Sequence, residues 1–278
     1  MNLKEYKAVD GRYDLQEDGT CLYDIPYSDF SEKNKLDLYL PKSKKEWYPL
    51  VVFIHGGAFA KSDKGHHLSG VLNSLQYGCA VASVNYRLND EVTYPDMLKD
   101  IMDAVRFLAK RPDIDSEKII LWGETHGGYL ACEMGICHHQ AETYKLAGVI
   151  SFYAPIDLYD FHKRQIASGQ LMELNGVVVD EASFGASGEK LLMILKKHDL
   201  FHKIDGREPA FYLLHGKKDN HIPIEYSIRL AEALKEKQVD CVLDLVEDGT
   251  HGIDFYASEK YNQPVMEFIQ RIVGDSGL

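Results

Sequence analysis

Gly123-Glu124-Thr125-His126-Gly127-Gly128 follows the apolar run Ile119-Ile120-Leu121-Trp122 and leads into Tyr129-Leu130-Ala131-Cys132-Glu133-Met134, a helix-compatible stretch. The layout is that of a nucleophile elbow, in which a strand turns sharply into a helix and exposes one hydroxyl. Threonine stands where the motif G-x-S-x-G has serine. A strand feeding directly into a helix sets the expectation for the rest of the chain, because such units are the repeating parts of an α/β sheet.

Outward from the elbow, short apolar runs alternate with helical periods. Leu50-Val51-Val52-Phe53-Ile54, Val81-Ala82-Ser83-Val84, Val149 to Tyr153 and Phe211 to Leu214 read, like Ile119 to Trp122, as strands buried on both faces. Leu98, Ile101, Met102, Val105 and Leu108 form an amphipathic stripe opened by Pro95 and closed before Pro112. The same pattern recurs in Ile224, Ile228, Ala231, Leu234, and in Val265, Phe268, Ile269, Ile272, the last opened by Pro264 and followed by Gly274. Cys21 to Tyr27 and Lys35 to Leu40 read as an earlier antiparallel pair at one edge, joined through the turn-rich Ser28-Asp29-Phe30-Ser31. The expected fold class is therefore α/β, with a mostly parallel central sheet flanked by helices. Residues 156–206 break the alternation with Gly169, Gly176, Gly185 and Gly188, and are expected to form a small cap inserted over the sheet.

The chain has 278 residues, 45% of them hydrophobic, which suits one large domain, and no linker or repeat marks a second. A net charge of -12 lacks the footprint of a nucleic-acid binder, and the Lys42, Lys44, Lys45 cluster reads as a solvated loop. The start at Met1-Asn2-Leu3-Lys4-Glu5-Tyr6 has no apolar core of a signal peptide, and no run reaches the ~18 apolar residues of a spanning helix. Five scattered cysteines (Cys21, Cys79, Cys132, Cys137, Cys241) fit free thiols, so the expected location is the cytoplasm.

Three further segments carry chemistry. His55-Gly56-Gly57-Ala58-Phe59 ends the Leu50 to Ile54 strand with small residues whose N–H groups can turn toward a developing oxyanion. His215-Gly216-Lys217-Lys218-Asp219 places a carboxylate just past the Phe211 to Leu214 strand. Glu247-Asp248-Gly249-Thr250-His251-Gly252 presents an imidazole after Val242 to Val246. The order hydroxyl, acid, base assigns Thr125 as nucleophile, His251 as base, and Asp219 as the group that fixes its tautomer.

Together these stretches resemble the α/β-hydrolase superfamily, in the esterase/lipase group similar to hormone-sensitive lipase, small bacterial carboxylesterases and feruloyl-esterase-like enzymes. The likeness runs from about residue 20 to 275 and includes Val84-Asn85-Tyr86-Arg87-Leu88, Tyr94-Pro95 and Asp100, which match the family's Y-R-L…P…D stretch. It implies that Gly57, Ala58 and His126 supply oxyanion-hole amides, that no cofactor or metal is needed, that the substrate is a small ester, and that the chain pairs as a homodimer. Ala58 replaces the third glycine of H-G-G-G and keeps its N–H. Thr125 is the graver departure: β-branched residues tolerate the elbow's strained dihedrals worst, and a barrier raised by ~3–4 kcal/mol slows turnover ~100- to 1,000-fold.

Other readings compete at several positions. His198 and His202 stand at i, i+4 and on a helix would share a face, yet the glutamate of H-E-x-x-H is absent, and a surface or cap-pocket role is expected. His66-His67 and His138-His139 read as polar loop residues. The His126 imidazole either lines an acyl pocket or points to solvent. Phe59, Tyr86, Tyr153, Phe161 and Phe184 either shape a pocket or pack the core. A cap of ~50 residues suits a short acyl group. The functional alternatives are a catalytically silent ligand-binding protein of the same fold and a small serine-peptidase-like hydrolase, though the chain has no room for the propeller of prolyl-oligopeptidase-type enzymes.

Overall fold

The computed structural model describes residues 3–4, 6–9, 11–252 and 256–274. Met1-Asn2, and positions 253–255 and 275 within the expected fold, lie outside the described residues. Eight main strands make the central sheet: β1 (Gly19–Pro26), β2 (Lys35–Pro41), β3 (Tyr48–Ile54), β4 (Ala80–Val84), β5 (Ile114–Glu124), β6 (Tyr144–Phe152), β7 (Ala210–Gly216) and β8 (Cys241–Val246). Their spatial order is β8-β7-β6-β5-β3-β4-β2-β1. The pairs from β8 through β4 are parallel, and β2 joins β4 and β1 antiparallel, so the early hairpin forms one edge as expected.

The sheet is apolar on both faces because alternate residues of each inner strand feed different cores. Leu50, Val52 and Ile54 face one core with α1 (Tyr94–Ala109) and α2 (Thr125–Cys137), while Val51 and Phe53 face the other with Ile120, Trp122 and Ile150. Fully burying each such side chain is worth about 1.5–3 kcal/mol, which overrides any local preference of these short runs. Helix α1 begins after Thr93, carries Pro95 in its first turn, and buries Met97, Leu98, Ile101, Ala104, Val105 and Leu108.

Between β6 and β7 the chain leaves the sheet. It forms α3 (Leu158–Ser168), a two-residue hairpin pairing Glu173–Leu174 with Val177–Val178, α4 (Val179–Phe184) and α5 (Gly188–Lys197) before returning. The five glycines of this segment, Gly169, Gly176, Gly185, Gly188 and Gly206, all have positive φ. Asp157 caps α3 by accepting the Asp160 N–H at 2.9 Å. After β7 come α6 (Glu225–Glu236), β8 and α7 (Glu259–Val273). Helix α7 corrects the reading of Pro264 as its opener: the helix begins at Glu259, with Pro264 inside. Proline cannot donate to the carbonyl of Lys260, but the buried face of Val265, Met266, Phe268 and Ile269 holds the helix together across it.

Candidate active site

The elbow forms where the sequence places it. Strand β5 ends at Glu124 and α2 begins at Thr125, whose φ is +46°. The glycines two residues to either side are required by close approach. A Cβ on Gly123 would lie 2.2 Å from the Gly127 carbonyl oxygen, and one on Gly127 would lie 2.2 Å from that of Ile54. Any side chain there would push the first turn of α2 off the sheet.

Thr125 opens onto a cavity of about 970 Å³. One wall is Gly57 and Ala58 with Lys61, Ser62 and His67; a second is Phe161, Arg164 and Gln165 of α3; a third is His221, Ile222 and His251. The Gly57, Ala58 and Phe59 backbone has φ of +93°, +57° and +61°. This left-handed run is strained for its two non-glycine members. Among the described residues the N–H groups of Gly57 and Ala58 have no protein acceptor.

Asp219 and His251 come together from two loops 32 residues apart, with His251 Nδ1 2.8 Å from Asp219 Oδ2. The Asp219 side chain is wholly buried. Burial alone would raise its carboxyl, but His215 Nε2 at 3.3 Å, His251, and the N–H groups of His221 and Ile222 on Oδ1 hold it well below the usual carboxylate range. The acid therefore stays ionised beside His251. Thr125 itself accepts the His126 N–H and lies 3.4 Å from His126 Nδ1; no Thr125–His251 hydrogen bond occurs among the described residues.

His126 does not point to solvent. Its ring is buried and lines the cavity, edge-on to Phe59 at 4.7 Å between centroids. Burial pushes its pKa down to about 4, keeping it neutral. Of the five aromatics, Tyr153 and Phe161 line the cavity, whereas Phe59, Tyr86 and Phe184 belong to the cores. Tyr86 stacks on His55 at 4.5 Å and donates to the His55 carbonyl at 3.1 Å, pinning the base of the His55–Phe59 loop. Arg87 forks onto Asp100 with bonds of 2.8 and 2.7 Å. Tyr86 thus braces the His55–Phe59 loop, Arg87 and Asp100 tie the chain after β4 to α1, and none of the three lines the cavity.

Sequence reading missed a second acid-centred group. Glu124, buried beside Thr125, accepts the Tyr153 hydroxyl at 3.1 Å and lies 2.9 Å from His67 Nδ1. Tyr153 in turn packs against the His251 ring at 4.6 Å. Burial, then the Glu124 charge, keeps the Tyr153 phenol protonated. His67 is therefore a cavity residue and not an ordinary loop histidine. Only Glu124, adjacent to the elbow threonine, carried a positional signal; the other two arrive by tertiary folding. His215 and His221 were likewise unsignalled. His198 and His202 do not share a helical face, since His198 follows α5 and His202 sits in a separate turn. His202 faces outward beside Asp199. No group of three or more His, Cys, Asp or Glu set to hold a metal occurs among the described residues.

Comparison with known proteins agrees with this architecture. The chain is 27% identical over 269 residues to the probable isoprenylcysteine alpha-carbonyl methylesterase ICMEL1 of Arabidopsis thaliana, a match covering 90% of this chain and 54% of that protein. The chain spans about half the length of the curated relatives it matches. Among solved structures, a truncated form of a carbohydrate esterase from gut microbiota superposes with a TM-score of 0.76 at 20% identity, covering 93% of this chain and 98% of that one. The bifunctional GH43-CE of Bacteroides eggerthii superposes with a TM-score of 0.76 at 26% identity, covering 91% of this chain and 38% of that one. The BD-FAE family model matches residues 36–234. With that match spanning most of the sheet, the elbow and the helices between, the chain belongs to the BD-FAE family within the α/β-hydrolase superfamily.

Proposed function

We propose that this chain is a carboxylic-ester hydrolase working through an acyl-enzyme, with Thr125 as nucleophile, His251 as general base and Asp219 as its partner. Thr125 Oγ1 attacks the ester carbonyl carbon while its proton passes to His251. The carbonyl oxygen becomes an oxyanion facing the N–H groups of Gly57, Ala58 and His126. His251 then protonates the departing alcohol, and water, deprotonated by His251, releases the acid and restores Thr125. Residues 156–206 act as the cap, with α3 excluding water from the acyl side. The reading rests on one observation above others: the buried Asp219–His251 bond opens on the same cavity as a hydroxyl held at a strained elbow. Relatives and a neighbour whose names say esterase support it.

A second reading, a catalytically silent binding protein, draws on the hydroxyl contacts of Thr125. Its oxygen bonds to the His126 N–H, one of the amides the oxyanion would need. To react, that oxygen must swing toward His251, carrying a methyl that serine lacks. Hydrolysis of p-nitrophenyl acetate by the parent chain, Thr125→Ser and Thr125→Ala separates the two. The hydrolase reading expects the parent to exceed Thr125→Ala clearly and Thr125→Ser to be faster still, by ~100- to 1,000-fold. A parent equal to Thr125→Ala, with activity gained only in Thr125→Ser, establishes the silent reading.

A further inference from the structure

His126 offers the cavity more than its amide. Thr125 Oγ1 accepts the His126 N–H and lies 3.4 Å from Nδ1, a separation at which its hydroxyl can donate to the ring. With Nδ1 as acceptor in a neutral imidazole, the ring proton resides on Nε2. No hydrogen bond from Nε2 occurs among the described residues; the ring lines the cavity, in a residue only 2% exposed, edge-on to Phe59 and Phe161. A donor fixed in apolar walls discriminates strongly between ligands that supply an acceptor and those that do not.

The direction of this donor follows from the base. A leaving oxygen must lie at His251, which packs against Tyr153 and His221 with centroids 4.6 and 5.3 Å away. His126 stands instead with Phe59 and Phe161, which leaves that side of Thr125 for the acyl chain. Nδ1 is the ring nitrogen beside Thr125, so Nε2 would meet acyl atoms farther from the ester carbonyl.

We propose that His126 Nε2–H is a specificity determinant selecting acyl groups that carry an oxygen acceptor, such as a hydroxyl or keto oxygen, on the carbon β to the ester carbonyl. The inference rests on the hydrolase reading for its side of the bond. The test compares kcat/KM for p-nitrophenyl 3-hydroxybutyrate and p-nitrophenyl butyrate in Thr125→Ser protein with His126, with His126→Phe and with His126→Gln, each checked for folding by circular dichroism. Taking the ratio of the two esters cancels any general rate loss in the variants. The expected ratio is ~10 with His126, near 1 with His126→Phe, and partly restored by the amide donor of His126→Gln. The same ratio in all three proteins overturns the proposal. So does a His126 dependence found for a hydroxyl on the alcohol instead, read with 2-hydroxyethyl butyrate against ethyl butyrate. If no protein hydrolyses any ester, the hydrolase reading fails by itself. Titration of the parent chain with 3-hydroxybutyrate and butyrate, followed at the His126 ring nitrogens by NMR, then decides. A shift selective for the hydroxy acid upholds the donor, and equal responses overturn it.

Discussion

Thr125 meets two opposed demands. The elbow forces φ to +46°, where β-branched residues are most strained, yet the proposed attack needs a hydroxyl at this position within reach of His251. Space is tight on the loop side too: a Cβ on Gly56 would lie 2.9 Å from Thr125 Oγ1 and 3.0 Å from its methyl. The neighbouring acid is better provided for. Asp219 accepts from two backbone N–H groups and stands between two imidazoles, so it can hold the His251 tautomer without itself being protonated. Asp219→Asn in Thr125→Ser protein is expected to lower kcat by ~10²- to 10⁴-fold with KM changed little, as steady-state kinetics on p-nitrophenyl acetate will show. A kcat within threefold of the starting protein would remove Asp219 from the mechanism.

At the scale of elements, the site depends on how closely α2 and the His55–Phe59 loop press on the strand ends. At Gly127 the carbonyl oxygens of Ile54 and His55 lie 2.2 and 2.4 Å from where a Cβ would be. Both are backbone atoms and cannot turn aside. Gly127→Ala is expected to cost ~3 kcal/mol or more, read as a collapse in soluble yield or a large fall in thermal midpoint. Arg87 and Asp100 tie the loop after β4 to α1. Arg87→Ala strands a fully buried carboxylate and should cost ~3–5 kcal/mol, whereas Asp100→Asn keeps an acceptor for the Arg87 N–H and should cost less. Urea unfolding of the two variants tests the order, and an Arg87→Ala protein as stable as the parent would show that the pair does not brace the loop.

For the whole molecule, the notable cost of this architecture is acid sensitivity. His55 and His126 are buried on either side of the elbow, and desolvation pushes each pKa down to about 4 from an ordinary 6.5. The unfolded chain takes up these protons near pH 6.5 and the folded one only near pH 4, so stability is complete above about 6.5 and lost as pH falls toward 4. The loss is up to ~3 kcal/mol for each ring. Asp219, depressed in the fold, contributes stability above about pH 4 that is lost below it. Thermal midpoints measured from pH 8 to 4 should fall mainly between 6.5 and 4, and His126→Gln should flatten that fall. An unchanged slope in His126→Gln would mean the ring takes its proton as readily folded as unfolded.

What the sequence determined by itself was the sheet, the elbow and the placing of Thr125, Asp219 and His251, in that chain order, just past strand ends. These are local: a strand buried on both faces reads as an apolar run, an elbow needs glycines at fixed offsets, and Asp219 and His251 each follow a strand end. The start of α7 was misread because Pro264 ordinarily opens a helix, and only the packing of Val265, Phe268 and Ile269 carries the helix through it. Tertiary structure alone decided that His67, 57 residues from Glu124, closes on it, and that Tyr153 links this acid to His251. It also decided that Tyr86 and Phe184 are core while Phe161 faces the cavity, and that the His126 ring turns inward. Those outcomes depend on which loops the sheet order brings to one end of the strands, and no periodicity or spacing encodes a contact between residues so far apart along the chain.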